Sequence, residues 1–438
     1  MVLNKIKINK LIWNLTSEEM KTKILDRASF DISEQIKLIE PVCEAVRNEG
    51  DKAIIEFTEK FDRVKLQKDQ IAVSEEEFLE AKQLLDEETK KVIEYATHNI
   101  RRFHEAQKPE PMWMMEMEKG VMAGEKVTPI SDVACYVPGG KGSFPSVLLM
   151  LGTPATVAGV EKIIVITPPN KEGKVDPAIL YAADILNIHE VYKAGGAQSI
   201  AAVAFGTETI PKCSKVIGPG SSFVTAAKLF LREYIDSGVP AGPSESIILA
   251  DEHADPKKAA LDLLIEAEHG PDSAALLVTH CKDIADQVEE QVYHLIASLE
   301  SDIRRQFVET VLTNYGGIII TDNLEESIRF ANEYAPEHIE LMVEKPFEIL
   351  NEIKNAGEIL LGDYSATSLF NFVVGPNHTL PTGQYAKTIS AVSIHDFLKR
   401  SSIGYVTKSG FHTIKDYAAK FADIEGFETH AKALRERN

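Results

Sequence analysis

The chain has 438 residues, of which 44% are apolar and 26% charged, and its formal net charge is -20. This length is too great for one simple core and predicts two or more domains. An acidic surface repels phosphate backbones, which argues against nucleic acid as a partner.

The four cysteines are Cys43, Cys135, Cys213 and Cys281. They are widely spaced and form no CxxC pair, so neither a disulfide framework nor a structural zinc knuckle is expected. Such thiols are typical of a cytoplasmic protein. The first residues alternate lysine with apolar side chains and lack the apolar core of a secretion signal. The most apolar run, residues 146–160, is too short to span a membrane.

The first 130 residues are predicted to form a helical region followed by a hairpin. Residues 17–107 contain long segments with the helical spacing of apolar side chains and abundant glutamate and lysine. Pro109 and Pro111 then lead into alternating segments that are typical of paired strands. We expect residues 1–130 to pack with the second of two α/β units that follow.

From about residue 131, short apolar strands alternate with helices, the pattern of a parallel α/β fold. The expected strands are residues 133–137, 162–167, 190–193, 215–217, 246–250, 274–279, 317–321, 338–343 and 358–361. We predict two Rossmann-like but incomplete α/β domains, residues 131–240 and 241–380. A C-terminal extension, residues 381–438, ends in a helical tail from about residue 408. The pattern does not say whether the two units share a sheet.

Three glycine-rich turns precede predicted helices: Gly139-Gly140, Gly195-Gly196 and Gly218-Pro219-Gly220. Such turns expose backbone N–H groups at helix N-termini, which favours phosphate binding. None completes the G-x-G-x-x-G pattern, since residue 223 is phenylalanine. Ordinary turns between strand and helix therefore remain the alternative to a dinucleotide site.

The stretch LDLLIEAEHGP, residues 261–271, reads as an apolar-periodic helix that stops at glycine and proline. Its last turn is predicted to carry Glu266 and His269 on one face, because residues three apart are neighbours on a helix. A carboxylate and an imidazole together can hold a divalent metal, since Zn2+ accepts oxygen and nitrogen ligands. Glu-x-x-His is short, so a solvated helix end is the alternative.

Glu337 and His338 follow Pro336 at a helix-to-strand corner. Histidine has the intrinsic pKa to take a proton near neutrality, and a neighbouring glutamate can activate water or orient the ring. A solvated corner is the alternative. The long loop that follows, residues 362–383, contains the polar Asn371 and His378 among apolar side chains and is a candidate functional loop. Hydrogen bonding within the loop is the alternative for Asn371.

Together these stretches resemble the histidinol dehydrogenase family, in order and with matching spacing along nearly the whole chain. The similarity is carried by residues 136–140 (YVPGG), 194–200 (AGGAQSI), 204–208 (AFGTE), 218–220 (GPG), 241–245 (AGPSE), 267–272 (AEHGPD), 335–338 (APEH), 375–378 (GPNH) and 425–430 (EGFETH). The resemblance implies a zinc-dependent, NAD-linked enzyme that oxidises an amino alcohol to the aldehyde and then to the acid. L-histidinol is the implied substrate.

The resemblance also implies roles for individual residues. His338 would be the general base for the alcohol proton, and Glu337 would activate the water that attacks the aldehyde. The implied zinc ligands are Glu266, His269, Asn371 and His430. The implied NAD contacts, in the first α/β domain, are Tyr136, Gln198 and Ser221. The implied substrate contacts are Ser244, His378 and Glu425, with His338 and the four zinc ligands. The family is a homodimer with intertwined tails, so His430 would serve the zinc site of the partner subunit.

Three positions depart from the family pattern. The family has glutamine where this chain has Glu266, aspartate where it has Asn371, and asparagine where it has Ser221. The first two changes are reciprocal, so the charge around the metal is preserved and zinc binding is expected to survive. The relocated charge and Ser221 favour the main alternative, a related dehydrogenase of another small polar alcohol such as a sulfonated diol. The third hypothesis is an inactive relative that only binds a ligand. The presence of both Glu337 and His338 argues against it.

Overall fold

The computed structural model describes residues 6–27, 33–139 and 142–437, so Gly140 of the first glycine turn lies outside the described residues. The strands are β1 (Lys10–Ile12), β2 (Met112–Glu118), β3 (Val121–Pro129), β4 (Asp132–Tyr136), β5 (Lys162–Thr167), β6 (Glu190–Lys193), β7 (Val216–Ile217), β8 (Glu245–Ala250), β9 (Ala274–Thr279), β10 (Gly317–Ile320), β11 (His338–Met342), β12 (Glu358–Leu361) and β13 (Leu398–Val406). The helices are α1 (Glu18–Asp26), α2 (Ser33–Glu49), α3 (Asp51–Phe57), α4 (Glu75–Leu84), α5 (Glu87–Ala106), α6 (Pro145–Ala158), α7 (Pro177–Ile185), α8 (Gly196–Phe205), α9 (Ser222–Phe230), α10 (Pro256–Ala267), α11 (Lys282–Ser298), α12 (Asp302–Thr313), α13 (Leu324–Tyr334), α14 (Pro346–Ile349), α15 (Thr367–Leu369), α16 (Lys408–Ile424) and α17 (Glu428–Arg435).

The two α/β series form separate parallel sheets, which the sequence pattern left open. The first sheet has the strand order β6-β5-β4-β7, and the second has the order β1-β10-β9-β8-β11-β12. Helices cover both faces of such sheets, so their strands are mostly apolar and buried. All six residues of β9 are buried, for example. The α/β class is therefore confirmed, while the predicted domain boundaries stay a prediction.

An antiparallel sheet of order β13-β3-β2 stands apart from these two. It contains the predicted hairpin, β2 and β3. Strand β13 was not predicted, because none of its nine residues is buried and its pattern has no apolar face. Over the described residues, no helix is long and apolar enough to cross a bilayer.

The N-terminal region packs differently from the prediction. Strand β1 pairs with β10, and Ile8, Trp13 and Ile24 join the cores around the second sheet. Helices α2 to α5 pack instead against α6 to α9 around the first sheet. The apolar stripe of α2, which includes Ile39 and Val46, is buried there. The segment before α2 thus packs on the second sheet, and among the later helices α5 also contacts residues 370–374 in the second predicted unit.

Parallel pairing places three chemically active side chains next to each other at the amino ends of the second sheet. His338 is in register with Ser246 on β8 and with Glu358 on β12. Since neighbouring residues in register point to the same face, all three face α10, which packs on that face of β8. Ligands of open α/β sheets usually bind at carboxyl ends. Tyr136, by contrast, lies at the carboxyl end of β4 in the first sheet.

Candidate active site

A cavity of about 600 Å³ lies between the two parallel-sheet units. Its wall combines the N-terminus of α9, the start of β8, the end of α10, the corner before β11 and the loop after α15. Eight of the residues singled out from the sequence line it: Ser221, Ser244, Glu266, His269, Glu337, His338, Asn371 and His378. The fold thus gathers in one pocket polar groups that are spread over residues 221–378 of the chain.

Glu266 and His269 meet at the end of α10, although the helix stops earlier than predicted. It ends at Ala267, so Glu266 lies in the last turn and His269 in the turn beyond it. His269 Nδ1 is 2.8 Å from Glu266 Oε2 and 3.0 Å from Ser244 Oγ. Burial raises the pKa of Glu266, but the hydrogen bond and charge of His269 outweigh it and lower this pKa to about 2. Glu266 is therefore an anion in the cavity wall.

Glu337 and His338 are buried at the corner that was predicted from Pro336. Ala335 adopts a left-handed conformation with φ of 50°, which turns the chain sharply out of α13. The backbone N–H of Glu245 donates to Glu337 Oε2 at 3.0 Å. His338 Nε2 lies 3.8 Å from Glu337 Oε1, and its Nδ1 lies 3.0 Å from Glu358 Oε2. The corner thus presents a carboxyl group and an imidazole in fixed orientations.

The acid and the imidazole are strongly perturbed by their surroundings. Burial raises the pKa of Glu337 to about 8, against the attraction of the His338 charge. Burial lowers the pKa of His338, but its hydrogen bond with Glu358 and the nearby carboxylates raise it more, to about 9. Burial and the His338 charge lower the pKa of His378 to about 4. Opposed shifts of this kind are characteristic of acid–base sites.

The cavity also has the features of a cation site. Ligand atoms of Glu266, Glu337 and His338 all lie within 4.8 Å of one another. Glu266 Oε1 and Asn371 Oδ1 are buried, and among the described residues neither has a hydrogen-bond partner. Buried oxygens without a donor are costly unless they bind something else. A divalent ion held by Glu266, His269 and Asn371 would satisfy these oxygens, because Zn2+ accepts carboxylate, amide and imidazole donors.

The predicted cofactor contacts lie beside the first sheet. The hydroxyl of Tyr136 accepts the backbone N–H of Gly196 at 3.4 Å. Gln198 is buried in α8, and no described residue donates to its Oε1. Ser221 caps the N-terminus of α9 and lines the cavity. These residues offer an amide, a hydroxyl and a helix N-terminus to a dinucleotide, so the donor set fits the cofactor.

Gly218 keeps this edge of the first sheet tight. Its φ is 132°, and a Cβ atom there would lie 2.2 Å from the carbonyl oxygen of Tyr136. Only glycine fits that contact, which brings the Gly218-Pro219-Gly220 turn against the end of β4. The turn therefore holds the N-terminus of α9 beside Tyr136.

Four predicted site residues do not line the cavity: Tyr136 and Gln198, which lie beside the first sheet, and Glu425 and His430 of the tail. Glu425 is the C-cap of α16, and His430 lies in α17. Both are exposed and neither lines the cavity of the described chain. The two tail helices pack on each other, and Tyr417, Phe421 and Ile424 of α16 remain exposed. A single chain therefore does not complete the ligand set that the sequence suggests.

The sequence did not predict the residues that hold Glu337 and His338 in place, Glu358 and Arg27. Glu358 contacts His338, as described above. Arg27 pairs with Glu245 Oε2 at 3.1 Å, and its Nη2 donates to the carbonyl oxygen of Tyr334 at 2.7 Å. Neither belongs to a recognisable motif. The one signal available was a glutamate at the start of the otherwise apolar β12.

We expect Arg27→Ala to lower the free energy of unfolding by about 3–5 kcal/mol, because it leaves Glu245 as an uncompensated buried charge. Side-chain exposure in this ion pair is only 3% for Arg27 and 6% for Glu245. Denaturant unfolding at fixed protein concentration measures the change. Lys37→Ala is the control, since the Lys37–Glu34 pair is 70% and 76% exposed and should contribute little. Equal effects of the two substitutions would contradict the assignment.

Comparison with known proteins gives consistent matches along the chain. The family model described as histidinol dehydrogenase matches residues 25–438. The chain is 47% identical to a histidinol dehydrogenase of Synechocystis over 97% of each chain. It is 48% identical to a histidinol dehydrogenase homolog of Colwellia psychrerythraea, covering 98% of this chain and 96% of that one. A crystal structure of histidinol dehydrogenase from Elizabethkingia anophelis superposes with a TM-score of 0.91 at 36% identity, covering 98% and 97% of the two chains.

Proposed function

The chain belongs to the histidinol dehydrogenase family, and on that premise we propose that it is a zinc-dependent, NAD-linked oxidoreductase that converts L-histidinol to L-histidine. The proposal places the enzyme in histidine biosynthesis and in the cytoplasm, where thiols stay reduced. The observation that carries it is the buried Glu337–His338 pair, which shares one cavity with Glu266, His269 and Asn371.

We propose two successive oxidations, in which His338 and Glu337 act in turn. His338 takes the proton of the alcohol at Nε2 while the carbinol carbon loses a hydride, which leaves the aldehyde. Glu337 then takes a proton from water, whose oxygen attacks the aldehyde carbon. Loss of a second hydride and a second proton from the hydrate gives the acid. When bound, zinc supplies a Lewis-acid hold on the substrate nitrogens, and NAD accepts one hydride in each oxidation.

His338 must be neutral at Nε2 to act as a base. Its pKa of about 9 in the chain alone reflects the surrounding carboxylates. Positive charge placed in the same cavity lowers the pKa of an imidazole, because it disfavours the imidazolium. We therefore expect His338 to become neutral, and so able to accept a proton, when zinc and the positively charged nicotinamide ring of NAD bind in the cavity.

The proposal is tested by NADH formation from a panel of alcohols. L-histidinol should yield two NADH per molecule with the zinc-loaded protein, because the oxidation proceeds to the acid. A yield of one NADH, with aldehyde released, would overturn the two-step assignment. No NADH from any alcohol would favour the inactive relative.

A second substrate class is favoured by one observation. Arg304 lines the cavity, and its Nη1 donates to the carbonyl oxygen of Glu268 at 2.7 Å. Among the described residues, no carboxylate forms an ion pair with it. A guanidinium without an acidic partner suits an anionic substituent, so a small alcohol with a sulfonate group is the alternative substrate. Activity on such an alcohol and none on histidinol would select this alternative.

We also propose that the enzyme is a homodimer in which the C-terminal tail completes the site of the partner subunit. The support is the position of Glu425 and His430 outside the cavity of their own chain and the exposed apolar side chains on α16. Light scattering in solution should give twice the monomer mass of 48.4 kDa.

Shared sites predict complementation between inactive variants. Refolding His338→Asn together with His430→Ala should restore about a quarter of wild-type activity, because half of the dimers are mixed and each mixed dimer has one intact site. A mixture of His338→Asn with Glu337→Gln is the control. Both changes fall in the same pocket, so no mixed dimer gains activity. Failure of the first pair to exceed the control would contradict tail exchange.

A further inference from the structure

Glu358 occupies a position behind His338 that the catalytic proposal does not use. It is the first residue of β12, and its backbone N–H donates to the carbonyl oxygen of Glu337 at 2.9 Å. Parallel pairing puts it in register with His338. Its Oε2 lies 3.0 Å from His338 Nδ1, and both side chains are less than a tenth exposed. Backbone and side chain of Glu358 thus hold consecutive residues of the catalytic corner.

The contact determines which nitrogen of His338 carries the hydrogen. A carboxylate can only accept a hydrogen bond, so Nδ1 must carry the hydrogen. The lone pair of the neutral ring is then on Nε2, the nitrogen 3.8 Å from Glu337 Oε1. The other neighbour in register, Ser246, has a buried Oγ that no described residue contacts by a hydrogen bond, so it does not compete for Nδ1.

We propose that Glu358 is a positioning residue that holds His338 in the Nδ1–H tautomer and aims Nε2 at the reacting alcohol. The inference rests on the proposed function, in which His338 is the base. In the alcohol step, the hydroxyl proton moves to His338 Nε2, the C–H bond breaks, its electron pair leaves with hydride to NAD, and the C=O bond forms. Glu358 keeps its place throughout and stabilises the imidazolium that results.

Glu358→Gln is the informative substitution because it keeps the shape of the side chain and changes the hydrogen bond. Its amide can donate to Nδ1 and so favours the tautomer with hydrogen on Nε2, which cannot accept the alcohol proton. We expect kcat to fall about 100-fold, the upper range for groups that orient a functional histidine. KM values for alcohol and NAD should stay within about threefold, because no binding contact is removed.

Two further variants separate orientation from loss of packing. Glu358→Asp retains the carboxylate and should recover part of the lost kcat, whereas a purely structural role predicts that it is no better than the glutamine variant. Glu340→Gln is the matched control. Glu340 is a buried acid two residues after His338 on the same face of β11, and it interacts with Asp262 and not with the imidazole. This control should keep kcat within about threefold.

These experiments distinguish failure of the positioning role of Glu358 from failure of the proposed dehydrogenase function. If His338→Asn abolishes turnover and folded Glu358→Gln keeps wild-type kcat, the positioning role is wrong while the base assignment stands. If Glu358→Gln does not fold, Glu358→Asp decides the question by the same split between kcat and KM, since it should lower kcat at unchanged KM. If no alcohol yields NADH with the unsubstituted enzyme, the proposed function fails first. A loss in kcat and KM together would also overturn the positioning role.

Discussion

His338→Asn should lower kcat for NADH formation by about 10²–10⁴-fold, the contribution of a positioned general base. Asparagine keeps the polarity of the site but has no group that titrates near neutrality. The ring is buried between Glu337 and Glu358, and an asparagine at this position supplies no base in its place. Single-turnover measurement of NADH with zinc-loaded protein isolates the chemical step from product release.

His253→Asn is the control for this substitution. His253 is about half exposed and pairs only weakly with Glu252 and Glu344, at 4.0 and 3.9 Å. It should leave kcat unchanged, and both variants should bind zinc as the unsubstituted protein does. Turnover by His338→Asn within tenfold of the control would remove His338 from the role of base and leave it as a structural histidine.

The parallel strands were predictable because burial on both faces makes them predominantly apolar. β5 has four apolar residues between Lys162 and Thr167, and β9 has five apolar residues before Thr279. β13 could not be found in this way, since it is a polar strand whose position depends on pairing with the hairpin. The packing of α2 to α5 on the first sheet was equally hidden. An apolar stripe shows that a helix is buried but does not identify what covers it.

The site residues also fall into a predictable group and a group that depends on long-range contacts. Residue types and motifs pointed to Glu266, His269, Glu337 and His338, because carboxylate and imidazole groups carry this chemistry. The supporting contacts of Glu358 and Arg27 arise from strand register and from a chain crossing 307 residues away in sequence. No local pattern records such pairings. His430 is a different case, since its proposed role depends on a second subunit.

Zinc retention should depend on one negative charge at position 266 or position 371, which Glu266 supplies in this chain. Glu266→Gln removes the anion from the cavity. Loss of a residue that supports a metal ligand weakens metal binding roughly 10–100-fold, and we expect Glu266→Gln to weaken zinc binding at least as much. Asn371→Asp places an anion at the other buried oxygen. The double variant Glu266→Gln/Asn371→Asp restores the total charge, so its zinc affinity should return to within about threefold of the unsubstituted protein.

The measurement is zinc content after dialysis against a chelator of known affinity, which yields the dissociation constant independently of turnover. Glu268→Gln is the control, because this carboxylate lies at the rim of the same cavity and is only half-buried. The double variant can regain zinc affinity only if both side chains contact the same ion. Glu266 Oε1 and Asn371 Oδ1 are buried and have no hydrogen-bond partner among the described residues, so both are free to do so. Additive losses in the double variant would show that the two positions act separately, and the reciprocal exchange would then have no role in metal binding.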